Sequence, residues 1–224
     1  MADQEFDKFA KEYDEVLSGA IPLRMDEDAY FAEYKIALIA QMTAGKKVSR
    51  ILDFGCGAGR SLPYLAKYFP GAALVGFDLS FESLCVAKVR QPDAELHSDW
   101  ASLVDQRFDL IFAANVFHHI PRSVQCEELQ KCRGVMADRG EMIVFEHNPL
   151  NPATRWVFER CPFDVDAKML RKKEMKRLSR SAGMRLADEG YTLFFPRQLR
   201  ALRFIERYLS WLPLGAQYYV RLEK

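Results

Sequence analysis

Glycines and acids crowd the stretch VSRILDFGCGAGRSLPYL, residues 48–65. An apolar run carries Asp53 and opens at once into Gly55, Gly57 and Gly59. Glycine allows a tight turn and lets a ligand approach the backbone with no Cβ in the way. A helix starting just after would offer free N–H groups, which favour an anion such as a carboxylate. A dinucleotide turn reads G-x-G-x-x-G and would need glycine at position 60, where Arg60 stands. The spacing here is G-x-G-x-G, with Asp53 two residues before the first glycine. An acid pointing into such a turn suits a ligand with an ammonium group better than a pyrophosphate.

Asp78 follows Asp53 by 25 residues, in VGFDLS, with Leu79 after it. A carboxylate at that strand end can accept both hydroxyls of a ribose. That use is shared with nicotinamide-dinucleotide sites, and the plain alternative is an acid at a helix start. In HSDW, residues 97–100, Asp99 could accept from an adenine amino group and Trp100 offers a flat apolar surface. The plain alternative there is a loop acid beside a core tryptophan.

A second group could move protons. His118 and His119 follow the fourth expected strand, and Glu146, His147 and Asn148 follow the fifth. Histidine can act as a base near neutral pH. Of the histidine pair, one should pack and one face the cleft, with His119 the favoured base. Glu146 and His147 together could take a proton from a hydroxyl or amine, or could simply anchor a loop. Tyr13, Tyr30 and Tyr34 are candidates for a lid over the ligand, or for helix packing. Asp164 and Asp166 lack partners in sequence, so no metal is expected.

These residues need a frame. Apolar spacing predicts helices over 5–17 and 27–43, then a strand at 50–54 and a helix at 60–68. A strand at 73–77 and a helix capped by Ser80 follow, running to about Arg90. Strands are expected at 94–97, 108–113 and 141–146, with a helix from Pro121 to about Met136 between the last two. A proline-rich loop, 147–152, is read as turns. A basic helix over 167–182, a strand at 185–195, a helix at 197–212 and a strand at 217–222 complete the chain. Strands alternating with helices imply a mostly parallel sheet covered on both faces, closed by an antiparallel pair.

Bulk properties narrow the class. The chain has 224 residues, a length that suits one domain, and a net charge of +1 that demands no nucleic acid. Its five cysteines form no C-x-x-C pair and read as reduced and mostly buried. The acidic, mixed opening MADQEFDKFAKEYDEVL lacks a signal-peptide layout, and no apolar run could span a membrane. A cytoplasmic enzyme is the expectation.

The ordered set ILDFGCGAGR, VGFDLS, HSDW and FDLIFAANVFHHI resembles the nucleotide-binding half of the class I S-adenosylmethionine (SAM)-dependent methyltransferases. Within them it looks like the small-molecule, ubiquinone-biosynthesis-like type, and FDKFAKEYDEVL resembles the N-terminal lid of that group. The resemblance covers about residues 5–147. Further on, FEHNPLNPATRWVFERCPFDVDAKML and FFPRQLRALRFIERYLSWLPLGAQYYV resemble a bacterial subgroup that carries only a general methyltransferase label.

The resemblance implies an α/β, Rossmann-like doubly wound sheet of seven strands, mostly parallel, with an antiparallel last strand. It implies one domain: a helical lid over 1–45, a SAM-binding core over 46–147, and a substrate-side insertion with closing strands over 148–224. By motif match, Gly55, Gly57 and Gly59 would lie at the methionine part of SAM and Asp78 at the ribose. Asp99 and Trp100 would hold the adenine, though Trp100 stands where a smaller residue is usual. Asn115 would lie near the methyl-bearing sulfur. The implied reaction passes a methyl group from SAM to an oxygen, nitrogen or carbon atom of a small-molecule or lipid-linked acceptor, leaving S-adenosylhomocysteine (SAH). Competing readings are a non-catalytic SAM-binding scaffold and a NAD-dependent oxidoreductase. Arg155, Trp156, Phe163 and Trp211 are the expected acceptor lining. The arginines at 197, 200, 203 and 207 recur beside leucines and Trp211. They read either as a membrane-surface helix or as the solvent face of a packed one.

Overall fold

The computed structural model describes residues 25–161 and 167–224. Tyr13, the first expected helix, Phe163, Asp164 and Asp166 lie outside these residues.

The described elements begin with α1 (Met25–Met42), β1 (Arg50–Phe54), α2 (Leu62–Tyr68), β2 (Ala73–Phe77), α3 (Phe81–Arg90) and β3 (Glu95–His97). A 3-10 turn (Trp100–Leu103) leads to β4 (Phe108–Ala114), α4 (Gln125–Val135), β5 (Met136–His147) and α5 (Pro152–Phe158). Then come α6 (Lys172–Ser181), β6 (Arg185–Thr192), a long 3-10 run (Arg197–Ile205), α7 (Glu206–Leu209) and β7 (Gln217–Glu223). The seven strands stand in the order β3-β2-β1-β4-β5-β7-β6. β1 pairs in parallel with β2 and β4, while β7 runs antiparallel to both β5 and β6. The doubly wound sheet with an antiparallel last strand is therefore the one expected from the sequence.

Contacts gather in two compact units. One holds the described residues up to Ala113 with Val135–Gly140; the other holds Ala114–Gly134 and Glu141–Lys224. In the first, Ile51, Leu52, Leu62, Leu65 and Phe108 are fully buried. β1 and β2 are each buried over four of their five residues, as expected of strands covered on both faces. In the second, Ile143, Val144, Phe145, Tyr218 and Val220 form the buried centre.

Ser80 caps α3 as its position suggests, its side chain accepting from Ser83 N. Several boundaries move, each for a local reason. α2 starts at Leu62, two residues late, because Leu62 N still donates to Gly59 O at 3.2 Å and keeps the glycine turn going. α4 starts at Gln125, not Pro121. The amide of Gln125 donates to Phe117 O and Ile120 O (2.8 and 3.0 Å), so the residues between form a tied turn. β5 begins at Met136, where Gly140 permits a close pass of Phe108 O that a Cβ would block. α6 is shorter than expected, starting at Lys172, with Arg171 N held by Glu174. The expected helix over 197–212 is mostly 3-10, kinked at Leu199.

The loop after β5 contains α5, which the sequence reading missed. Asn151-Pro152 had been taken as a turn, yet it is an N-cap followed by a first-turn proline. Asn151 Oδ1 accepts from Thr154 N at 3.1 Å. The same loop is stitched to the approach of β7. Asn148, 1% exposed, donates to Pro213 O (3.1 Å) and Gly215 O (2.8 Å) and accepts from Leu150 N. Asn151 donates to Leu214 O at 2.6 Å and Thr154 Oγ1 to Ala216 O at 3.0 Å. Asn148 is thus a buried structural clamp, with both of its N–H donors engaged by the approach to β7.

Replacing Asn148 strands buried carbonyls, which costs about 1–3 kcal/mol. Urea unfolding of Asn148→Ala should show a loss of that size, with the slope unchanged.

Candidate functional site

The first unit carries a cradle at the carboxyl ends of β1 and β2. Gly55 N and Cys56 N both donate to Phe77 O, at 2.8 and 3.0 Å, hooking the glycine turn onto the end of β2. Gly55, Gly57 and Gly59 have φ of 71°, 49° and 73°, a region that disfavours any side chain. They differ in what they face. A Cβ on Gly57 would meet only Asp78 Oδ2 at 4.0 Å, whereas one on Gly59 would strike Ala87 of α3 at 2.7 Å. Gly59 serves close packing of turn on helix; Gly57 leaves space open beside Asp78.

Asp78 is oriented by the backbone. Its Oδ2 accepts from Gly57 N at 2.7 Å and its Oδ1 from Ser80 N at 2.9 Å. A carboxylate oxygen can accept more than one hydrogen bond, which suits ligand hydroxyls. Asp53 is its opposite. It is buried, and its Oδ2 has no hydrogen-bond partner. Burial, then the Asp78 charge, push its carboxyl up to about 7, while buried Lys35 pulls it back. A buried, unpaired carboxylate oxygen is a fitted receptor for a ligand cation.

Leu79 is 61% exposed beside Asp78. Asp99 is exposed and accepts from Ala101 N at 3.1 Å, capping the 3-10 turn that Trp100 begins. Trp100 meets Phe54 and Phe77 edge-on, at 5.9 and 5.2 Å between ring centroids. Those phenylalanines stack on each other at 5.7 Å.

In the second unit, β4 gives way to Asn115, whose φ is 59°. Asparagine tolerates this left-handed conformation better than most residues. Asn115 N donates to Phe145 O at 2.9 Å, which turns the chain over the end of β5. Glu146, fully buried, receives it. Its Oε1 accepts from Val116 N (3.1 Å) and Phe117 N (2.7 Å), and its Oε2 lies 2.6 Å from His118 Nδ1. Burial alone would raise the Glu146 carboxyl. The His118 charge and hydrogen bond, aided by His147 and Phe117 N–H, outweigh burial and hold it below its usual value. An ionised Glu146 only accepts, so in the neutral ring His118 Nδ1 donates and Nε2 is the basic nitrogen; the imidazolium formed when Nε2 is protonated is the charge that lowers Glu146.

The other candidates gather here. The His118 ring centroid lies 4.1 Å from that of His119 and 5.3 Å from that of His147. Phe158 of α5 closes on His118 and His147 at 5.6 and 5.7 Å. His118 is buried, while His119 and His147 are half-buried. The structure thus brings Glu146 to His118 as a hydrogen-bonded pair, with His147 a ring neighbour. Of the expected acceptor lining, Arg155 pairs with Glu159 at 3.6 Å, Trp156 lies under Arg160, and Trp211 is exposed.

Gln217 had not been singled out. It opens β7 opposite His147 and donates to Asn115 Oδ1 at 3.0 Å, while its own Oε1 is buried without a partner. Only the strand pairing brings it here, and a lone glutamine at a strand start carries no sequence signal. Among the described residues no group of three His, Cys, Asp or Glu side chains could hold a metal, and no helix is long and apolar enough to cross a membrane.

Comparison with known proteins identifies the family and the fold. Residues 26–202 match the family model described as a methyltransferase domain. The chain belongs to that family. It is 32% identical over 111 residues to a demethylmenaquinone methyltransferase of Chlorobaculum parvum, covering 48% of this chain and 44% of the relative. It is 28% identical over 123 residues to a ubiquinone biosynthesis O-methyltransferase of Pasteurella multocida, covering 46% and 50%. The chain thus spans about half the length of these curated relatives. A SAM-dependent methyltransferase from Archaeoglobus fulgidus shares the fold with TM-score 0.64 at 18% identity, over 86% of this chain and 94% of that one. The plantazolicin methyltransferase BpumL, solved with SAH, shares it with TM-score 0.66 at 16% identity, over 100% and 96%.

Asp53 generates a pH test. Its folded pKa, about 7, lies above its ordinary 3.8, so folding binds a proton there. That contribution to stability is complete at low pH and is lost as pH rises through about 7. Asp53→Asn keeps the neutral shape. Thermal unfolding should show its advantage over wild type growing between acid and mildly alkaline pH; a constant difference would refute the shifted carboxyl.

Proposed function

We propose that the protein transfers a methyl group from SAM to a small-molecule acceptor, and that His118, held by Glu146, is the base that takes the acceptor's proton. The observation that carries this reading is the fully buried His118–Glu146 pair at 2.6 Å. His118 Nε2, rather than His119, then has the carboxylate-backed geometry of a base.

The cradle fits the donor on the chain's own evidence. The unpaired Asp53 Oδ2 would hold the ammonium of the methionine part, and the open space beside Gly57 would admit it. Asp78, already set by two backbone donors, would accept from the ribose hydroxyls. Leu79, Asp99 and Trp100 would border the adenine. When bound, SAM supplies a methyl group on a positive sulfur, already activated toward an oxygen or nitrogen atom. The protein's tasks are then alignment and proton removal. An acceptor hydroxyl or amine gives its proton to His118 Nε2, and ionised Glu146 stabilises the resulting imidazolium. Phe158 and the neighbouring imidazoles would keep water from the base.

The acceptor class rests on the family and on this base. Relatives include a ubiquinone-biosynthesis O-methyltransferase and a trans-aconitate 2-methyltransferase of Variovorax paradoxus, the latter 38% identical over 79 residues. A free or lipid-linked small molecule with a hydroxyl suits the proposal best. We read the chain as one methyltransferase domain, with donor residues in 46–147 and acceptor-side residues in 148–224.

Calorimetry should detect SAM binding by the wild type, weakened at least tenfold by Asp78→Ala. Because the donor's ammonium needs an ionised Asp53, affinity should rise with pH through about 7, and Asp53→Asn should flatten that rise. A folded, ligand-free protein that binds no SAM at any of these pH values would end the proposal.

Catalysis separates from binding in Glu146→Gln. A glutamine amide can donate to Nδ1, which shifts the His118 proton to Nε2 and removes the base. With an acceptor found by screening, kcat should fall by roughly 10²–10⁴ at unchanged SAM affinity. SAM binding with no turnover on a broad acceptor panel would favour the scaffold reading.

A further inference from the structure

Residues 197–214 carry features that methyl transfer does not use. The 3-10 run places side chains three apart above one another. Beyond the kink at Leu199, Arg200 and Arg203 therefore share one row, Ala201 and Phe204 a second, and Leu202 and Ile205 a third. Leu199, Leu202, Phe204, Tyr208, Trp211 and Leu214 are all exposed, Phe204 by 66% and Trp211 by 73%. The backbone that displays the later ones is pinned: Ser210 O accepts from Tyr191 N, and Pro213, Leu214 and Gly215 carbonyls accept from Asn148 and Asn151. A fixed frame that holds large apolar side chains in water marks an interaction surface.

Its charge selects the partner. The segment has four arginines and one acid, Glu206. That acid is buried and accepts from Phe195 N at 3.3 Å, while Arg200 and Arg207 are exposed, so the outer face carries positive charge.

We propose that residues 197–214 dock the protein on an anionic lipid surface. Leu202, Phe204 and Trp211 enter the boundary between headgroups and acyl chains, while Arg200 and Arg207 meet lipid phosphates. Tyrosine and tryptophan favour that boundary. A nucleic acid would engage the arginines but leave the apolar side chains in water. A two-fold contact between copies would set like charge against like. Docking would bring the protein to a lipid-linked acceptor, yet it does not depend on the methyl-transfer reading.

The test is flotation of the full chain with phosphatidylcholine vesicles, and with the same vesicles made one-third phosphatidylglycerol. Partitioning should be at least tenfold stronger on the anionic vesicles and should fall sharply when salt is raised from about 0.1 M to about 1 M. Arg200→Glu with Arg207→Glu should lower it at least tenfold, and so should Leu202→Ser with Phe204→Ser. Both variants should keep wild-type SAM affinity and thermal midpoint. If charge reversal unfolds the chain, Arg200→Gln with Arg207→Gln gives the same reading. The proposal is overturned if the folded wild type does not partition, or partitions equally on both vesicles. It is also overturned if the variants instead dissolve a dimer of a chain that ignores vesicles.

Discussion

One buried carboxylate decides how the chain leaves β4. Glu146 has two oxygens and three donors: two successive backbone N–H groups of the β4 exit, and the ring of His118. Removing it from water is expensive, and only this complete set of partners makes the burial tolerable. The partners in turn have no freedom. Val116 and Phe117 must turn their N–H groups toward β5, and Asn115 must adopt its left-handed conformation to start that turn. The tautomer of His118 follows from the same demand. Local backbone shape, side-chain direction and proton position are thus three results of one desolvated charge.

The first unit uses acids in the contrary way. Asp78 has its oxygens engaged by backbone N–H groups, while Asp53 keeps one oxygen buried and alone. Burial and the Asp78 charge raise the proton affinity of Asp53, and groups perturbed in that way often mark sites of function. Asp53 keeps an unmet acceptor within an otherwise satisfied turn. A turn built only for folding would have no reason to keep that oxygen dry.

Much of this was legible in the sequence because it is local. The glycine spacing, Asp78 at its strand end and Ser80 as a cap are short-range patterns with one structural solution each. The mostly parallel sheet followed from the alternation of apolar runs with helical ones. What could not be read depends on distant pairing. The Glu146–His118 bond joins residues 28 apart, whereas adjacency in sequence pairs Glu146 with His147 as the proton acceptor. Gln217 reaches Asn115 across 102 residues. Asn148 looked available because its three partners lie either two residues away or more than sixty. The 3-10 form of 197–205 was hidden too, since a spacing of three suits both helix types over so short a span.

The stitched loop has a consequence for how such chains diversify. Asn148, Asn151 and Thr154 bind only main-chain carbonyls of residues 213–216. Contacts of that sort are indifferent to the side chains at 213–216, but not to their path. The two segments therefore behave as a single exchangeable cassette. Side chains can change at 214 and 216, whereas Asn148, Asn151 and Thr154 make the bonds and a Cβ on Gly215 would strike the Thr192 backbone; an insertion in one segment alone would unzip the other. A chimera that borrows its acceptor side from a relative would have to carry both pieces together.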